Sequence, residues 1–265
     1  MRGAAVFTAV LLVAAGTYAA EPTPLARARM LYNTGDYDGA IAAAAIARTQ
    51  RAAADAAALV EARAHLERYR RAAEPADLAA ARDALNMIRA AMLSPRDQVD
   101  FLVGLGQSLY LTDLFGPAAD LFDTALERGS LLPDHDREML LDWWATALDR
   151  DAQSAAPERR ARLHARITER MDAELRRDPG STPANYWRAV AARGAGDLDT
   201  AWDAAVAGWI RAALGPAGSQ LRADIDRLVS DAIIPERARS HAGREQADAA
   251  ESMRTQWNLI KEQWK

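Results

Sequence analysis

The chain has 265 residues, half of them apolar and 26% charged, with a formal net charge of −4 whose two signs are interspersed. No basic run or stripe is present, which argues against nucleic-acid binding through phosphate neutralisation. The absence of cysteine removes disulfides, thiolate metal sites, cysteine nucleophiles and a lipoprotein-type lipid anchor. Alanine is abundant and β-branched residues are few, a bias that predicts an all-α fold through alanine's helix propensity and small volume.

Residues 1–19 read as a signal peptide. Arg2 gives a short positive start, Ala4 to Ala15 form an apolar run, Gly16 breaks it, and Thr17-Tyr18-Ala19 places small residues where a signal peptidase reads. The run is shorter than the ~20 apolar residues a membrane span needs, so the expected location is periplasmic or secreted. No other stretch could cross a bilayer, and no transmembrane segment is expected in the mature chain.

From 20 to 214 a repeated unit predicts about five helix pairs, near 21–49, 51–93, 96–130, 135–177 and 182–214. Breaks are expected at Pro75, Pro95, Pro133, Pro157, Pro179 and Pro183, because proline cannot sit inside a helix without cost. Gly35-Asp36-Tyr37-Asp38-Gly39-Ala40 matches Gly196-Asp197-Leu198-Asp199-Thr200-Ala201. Degenerate copies are Asp113-Leu114-Phe115-Gly116-Pro117-Ala118 and Asp77-Leu78-Ala79-Ala80-Ala81. In this unit glycine ends one helix in a left-handed conformation. Aspartate then caps the next helix, an aromatic or leucine packs between the two, and alanine lets them touch.

Residues 215–265 predict a C-terminal helical cap. After Gly215-Pro216-Ala217-Gly218 an amphipathic helix is expected near Ser219 to Asp231. Pro235 then separates it from a last helix starting near Ser240. Trp257, Ile260 and Trp264 share one face of that helix, and two tryptophan anchors would close the exposed end of an array. A partner-binding or membrane-surface helix is the alternative.

The unit carries a resemblance to the tetratricopeptide repeat family. Leu105-Gly106, Phe115, Ala118, Phe122 and Ala125 stand at its signature positions, and Leu175 to Ala184 resembles a junction between repeats. The period here is near 40 against about 34 for the family, the excess being expected in longer helices such as 51–73. The resemblance implies a right-handed superhelical solenoid whose concave face, lined by the first helix of each pair, grips an extended peptide or another envelope protein. On that face it places Arg29, Tyr32, Asn33, Gln107, Tyr110, Tyr186 and Arg193. Tyrosine and arginine are enriched among binding hot spots. Bacterial scaffolds or adaptors of the cell envelope have this architecture.

No chemistry competes with that reading. The histidines His65, His135, His164 and His241 form no metal pattern, and in Asp134-His135-Asp136 the aspartates are expected to cap a helix start. No serine elbow is present, and Gly104-x-Gly106 lies inside an expected helix, where it serves packing. Neither an enzyme activity, a cofactor nor a metal is therefore expected. All seven tryptophans lie between Trp143 and Trp264. They predict an aromatic core in the C-terminal repeats; the alternative is a groove for a cell-wall glycan, which exposure of Trp143 or Trp144 would favour.

Overall fold

A computed structural model describes residues 21–239 and 244–264; the signal peptide expected over 1–19 and His241 lie outside the described residues. The chain is helical, with no strand among the described residues. Five hairpins follow in order: α1 (Pro24–Asn33) with α2 (Tyr37–Arg48), α3 (Ala54–Ala72) with α4 (Pro75–Asn86), and α5 (Pro95–Tyr110) with α6 (Phe115–Glu127). Then come α7 (Asp134–Ser154) with α8 (Pro157–Arg177), and α9 (Thr182–Gly194) with α10 (Leu198–Arg211). Pro75, Pro95 and Pro157 open α4, α5 and α8, Pro133 immediately precedes α7, and Pro183 lies in the first turn of α9. At those positions the N–H that proline lacks has no helical partner to lose. The long period resides in α3, α7 and α8, of 19, 21 and 21 residues.

The repeated hexapeptide makes the same turn twice. Gly35 and Gly196 take φ of +79° and +83°, a region only glycine enters cheaply. Asp36 and Asp197 then accept from the backbone N–H of Gly39 and Thr200, each at 2.9 Å. In the third copy Asp113 takes the glycine's place at φ +61°, and Leu114 stands at the cap without a side-chain bond. The fourth copy departs from expectation. Its left-handed residue is Ala73, and Asp77 lies within the first turn of α4, where it binds His65 Nδ1 at 2.8 Å and Arg68 at 3.2 Å instead of capping. Ala40, Ala81, Ala118 and Ala201 are all fully buried, so the small-residue contact holds even where the turn drifts.

Asp134 and Asp136 also differ from expectation, since neither makes a side-chain cap bond. They sit in the first turn of α7, where the helix dipole favours acids, and Asp136 binds Arg96 at 2.7 Å. Gly104 and Gly106 serve packing as expected. A Cβ on Gly106 would lie 2.4 Å from Cε1 of Phe122, so α6 reaches α5 only because glycine stands there.

Helices pack on their chain neighbours, and odd-numbered helices pack on one another as well: α1 on α3, α3 on α5, and α7 on α9. The odd helices therefore form one layer of the array. That layer curls tightly, for Arg29 of α1 reaches Asp97 of α5 and Arg70 of α3 reaches Trp143 of α7. One apolar core runs continuously from Val99 to Trp257, while the first two hairpins are held by smaller, alanine-rich clusters.

The C-terminal segment corrects two expectations. Pro235 does not end a helix: α11 (Gly218–Leu228) widens into a π-helical stretch, Val229–Ile233, and continues as α12 (Ile234–Ala238), with Ile234 N–H bonded to Val229 O. Widening moves the carbonyl that a proline ring would strike, so the helix absorbs the proline. Beyond it, α13 (Arg244–Gln263) has one tryptophan anchor, not two. Trp257 is 1% exposed and meets Trp202 and Trp209 edge-on, at 6.0 and 5.3 Å between ring centres. Trp264 is 45% exposed, and the helix end is held by its backbone, Arg222 donating to Trp264 O at 2.8 Å.

Candidate functional site

Every residue singled out from the sequence lies on an odd helix: Arg29, Tyr32 and Asn33 on α1, Gln107 and Tyr110 on α5, Tyr186 and Arg193 on α9. Most of the first group are engaged within the chain. Arg29 Nη2 donates to both oxygens of Asp97 at 2.8 and 2.9 Å, tying α1 to α5. Tyr32 lies under the Arg63 guanidinium, 4.7 Å from the ring centre, and Arg63 continues to Asp100 at 3.1 Å. Burial holds the Tyr32 hydroxyl pKa above its ordinary value, although the Arg63 charge opposes it. Tyr110 is wedged between Phe115 and Trp143, at 5.2 and 4.9 Å. Asn33 is exposed at the end of α1, and Gln107 is half-buried on α5. The N-terminal half of this layer is thus largely filled by its own ion pairs and rings.

Over α7, α9 and α11 the surface is different. Tyr186 is half-buried and edge-on to Trp187 at 5.5 Å, and Trp187 Nε1 donates to Asp142 Oδ1 at 2.7 Å. Burial, with the charges of Asp224, Asp142 and Asp149, raises the Tyr186 pKa. Asp142 is open to solvent yet flanked by protein. That partial burial, with the Asp224 charge, outweighs the Trp187 hydrogen bond and holds its carboxyl above the usual carboxylate range. Asp149 is the reverse case. Burial would raise it, but hydrogen bonds from His164 and Gln153 outweigh burial and lower it.

His164 is held against Gly194, where a Cβ would stand 2.5 Å from Nε2. Its Nε2 lies 3.5 Å from Asp149, and Nδ1 is buried without a partner. The proton therefore belongs on Nε2, since a buried N–H without an acceptor costs more than an unused lone pair. Arg193 is clamped by Glu236 at 2.9 and 2.5 Å. Among the described residues Asp149, Glu236 and Asp224 lie beside His164, Arg193 and Arg227, while Asp142 has no cation within ion-pair distance.

Six of the seven tryptophans are covered, Trp264 being the exception. Trp144 is fully buried beneath Arg166 and Arg170, and Trp143 is under Arg70. Trp202 and Trp209 are buried under Arg237 and Arg222, and Lys261 stands over Trp257. Among the described residues no group of histidine and carboxylate side chains could hold a metal ion, and no helix is long and apolar enough to cross a membrane.

No family model matches the sequence, and no curated protein or solved structure matches it. The acidic residues around Tyr186 were not singled out from the sequence. One signal was present: Asp142 and Asp149 are seven apart on α7, hence on one face.

Proposed function

We propose that this chain is a non-catalytic scaffold of tetratricopeptide type, a right-handed superhelix closed by α13, that binds an extended peptide or another protein of the bacterial envelope. Export by residues 1–19 to the periplasm is part of the proposal and rests on the sequence of that segment. The binding face is the stretch of the odd-helix layer over α7, α9 and α11. The observation that carries it is the setting of Tyr186, a half-buried ring amid Asp142, Asp149 and Asp224, of which Asp142 has no ion-pair partner among the described residues. Such a face favours a partner segment bearing lysine or arginine, with Tyr186 supplying contact area. Guanidinium and ammonium groups over the tryptophan rings count against the glycan reading, because a sugar needs a free ring face to stack on.

Fluorescence anisotropy with matched sets of labelled basic, neutral and acidic peptides tests this. Basic peptides should bind best, weaken with added salt, and lose affinity several-fold on Asp142→Asn and on Tyr186→Ala, a rim charge and a ring contact respectively. Equal binding of all three sets, or indifference to both substitutions, would sink the proposal.

A further inference from the structure

On the opposite side of α9 from the proposed peptide face, three arginines from three helices converge. Arg176 of α8, Arg188 of α9 and Arg211 of α10 line one hollow of about 420 Å³, together with Thr200, Asp172 and Asp203. Arg188 Nε donates to Asp172 at 2.6 Å, while its Nη1 is buried with no acceptor. A charged donor left unpaired is unfavourable, and a small turn of the side chain toward the hollow would bring it to an incoming oxygen atom. Neither Arg176 nor Arg211 has a carboxylate within ion-pair distance among the described residues. Asp172 is engaged by Arg188, and Asp203 is exposed. Three positive groups against two negative ones leave the hollow with one net positive charge, in a chain whose formal charge is −4.

We propose that this hollow binds a phosphate-class oxyanion, gripped by Arg176 and Arg211 over the guanidinium of Arg188. The planar guanidinium fork matches the spacing of two phosphate oxygens, and its hydrogen bonds to an anion are charge-assisted. Free phosphate compounds and a phospholipid headgroup present the same group. The site is independent of the peptide face, so either can fail alone.

The test is a titration of the whole protein with inorganic phosphate at low ionic strength, followed by NMR of the arginine Nε–H groups. Saturable shifts at Arg176, Arg188 and Arg211 are expected. Arg176→Ala and Arg211→Ala should each weaken binding by about tenfold, and Asp203→Asn should tighten it. Arg162→Ala, an exposed arginine of α8 outside the hollow, should change nothing. Cosedimentation with phosphatidylglycerol vesicles separates the sources. Pelleting abolished by Arg176→Ala assigns a headgroup, whereas absence of pelleting beside saturable phosphate shifts assigns a soluble phosphate. No saturable shift and no pelleting, or an effect of Arg162→Ala equal to that of Arg211→Ala, overturns the proposal.

Discussion

Replacing Trp257 by alanine should detach α13 from the array while leaving the five hairpins folded. A buried tryptophan side chain removes about 150–250 Å² from water, worth about 4–6 kcal/mol gross at the usual area coefficient. Trp257 is 1% exposed and packs on Trp202 and Trp209, so nearly all of that applies. Measured truncations of buried tryptophan lie lower, at about 3–5 kcal/mol, because neighbours relax into the space. While α13 is docked, Asp226 loses the Trp257 N–H at 2.7 Å but keeps Lys261 at 2.8 Å, so the docked state gains no unpaired carboxylate. Trp264→Ala on the same helix is the control. Its ring is 45% exposed, and the change should cost under about 1 kcal/mol. A terminal helix of a stacked array can open alone, so amide hydrogen exchange is the assay. Protection over α13 should fall by at least two orders of magnitude in Trp257→Ala and hardly at all in Trp264→Ala. Comparable losses in the two variants, or unchanged protection in Trp257→Ala, would refute the assignment of a single anchor.

Gly106→Ala sets about 1 kcal/mol of helix propensity against a Cβ placed 2.4–3.1 Å from three atoms of the buried Phe122 ring. Overpacking of about 1–3 kcal/mol should win, lowering the urea midpoint, and Phe122→Leu added to it should restore most of the loss. Glu174, buried and bound by Arg137 and Arg177, has its carboxyl lowered because those hydrogen bonds outweigh the burial that would raise it. A depressed folded pKa stabilises the protein above the unfolded value and ceases to as pH falls through the folded one. Glu174→Gln should therefore cost about 3 kcal/mol near neutral pH, and its deficit against the parent chain should shrink below about pH 4.3. For Asp142 the sign is opposite. Its carboxyl is raised, so Asp142→Asn should stabilise slightly at neutral pH, the gain disappearing below about pH 3.9; thermal melts across pH read both effects.

The hairpins were legible in the sequence because each depends on neighbours along the chain. Glycine before aspartate fixes the turn at Gly35 and Gly196, and a proline marks the starts of α4, α5, α7, α8 and α9. Where the outcome depended on distant residues, spacing was a poor guide. Pro235 looks like a breaker, and only the π-widened stretch Val229–Ile233 shows that the helix runs through it. Trp257 and Trp264 are equivalent on a helical wheel, yet only the first meets Trp202 and Trp209. The same limit applies to the candidate site. Arg29 and Tyr110 have the chemistry of binding residues, but Asp97 is 68 positions from Arg29, and Trp143 covers Tyr110 from another hairpin. Residue type told which side chains could bind a partner; curvature of the layer decided which were already bound.

On the proposed reading, the carboxylate of Asp142 serves binding and not folding. Arg29–Asp97 and Arg193–Glu236 pair opposite charges, and their carboxylates balance cations that the array itself brings together. Asp142 has no cation of its own. It accepts one hydrogen bond from Trp187, which an asparagine carbonyl could accept equally, and its ionised form is disfavoured by burial and by Asp224. Folding alone gives no reason for a carboxylate at that position, since an amide would keep the bond without the charge. A cationic partner does, because a lysine or arginine brought to Asp142 removes the unfavourable terms and turns the site into an ion pair. Asp142→Asn should therefore separate the two roles, improving the free protein's stability near neutral pH while weakening its hold on basic peptides; a substitution that improved both, or neither, would leave the carboxylate without the role assigned to it.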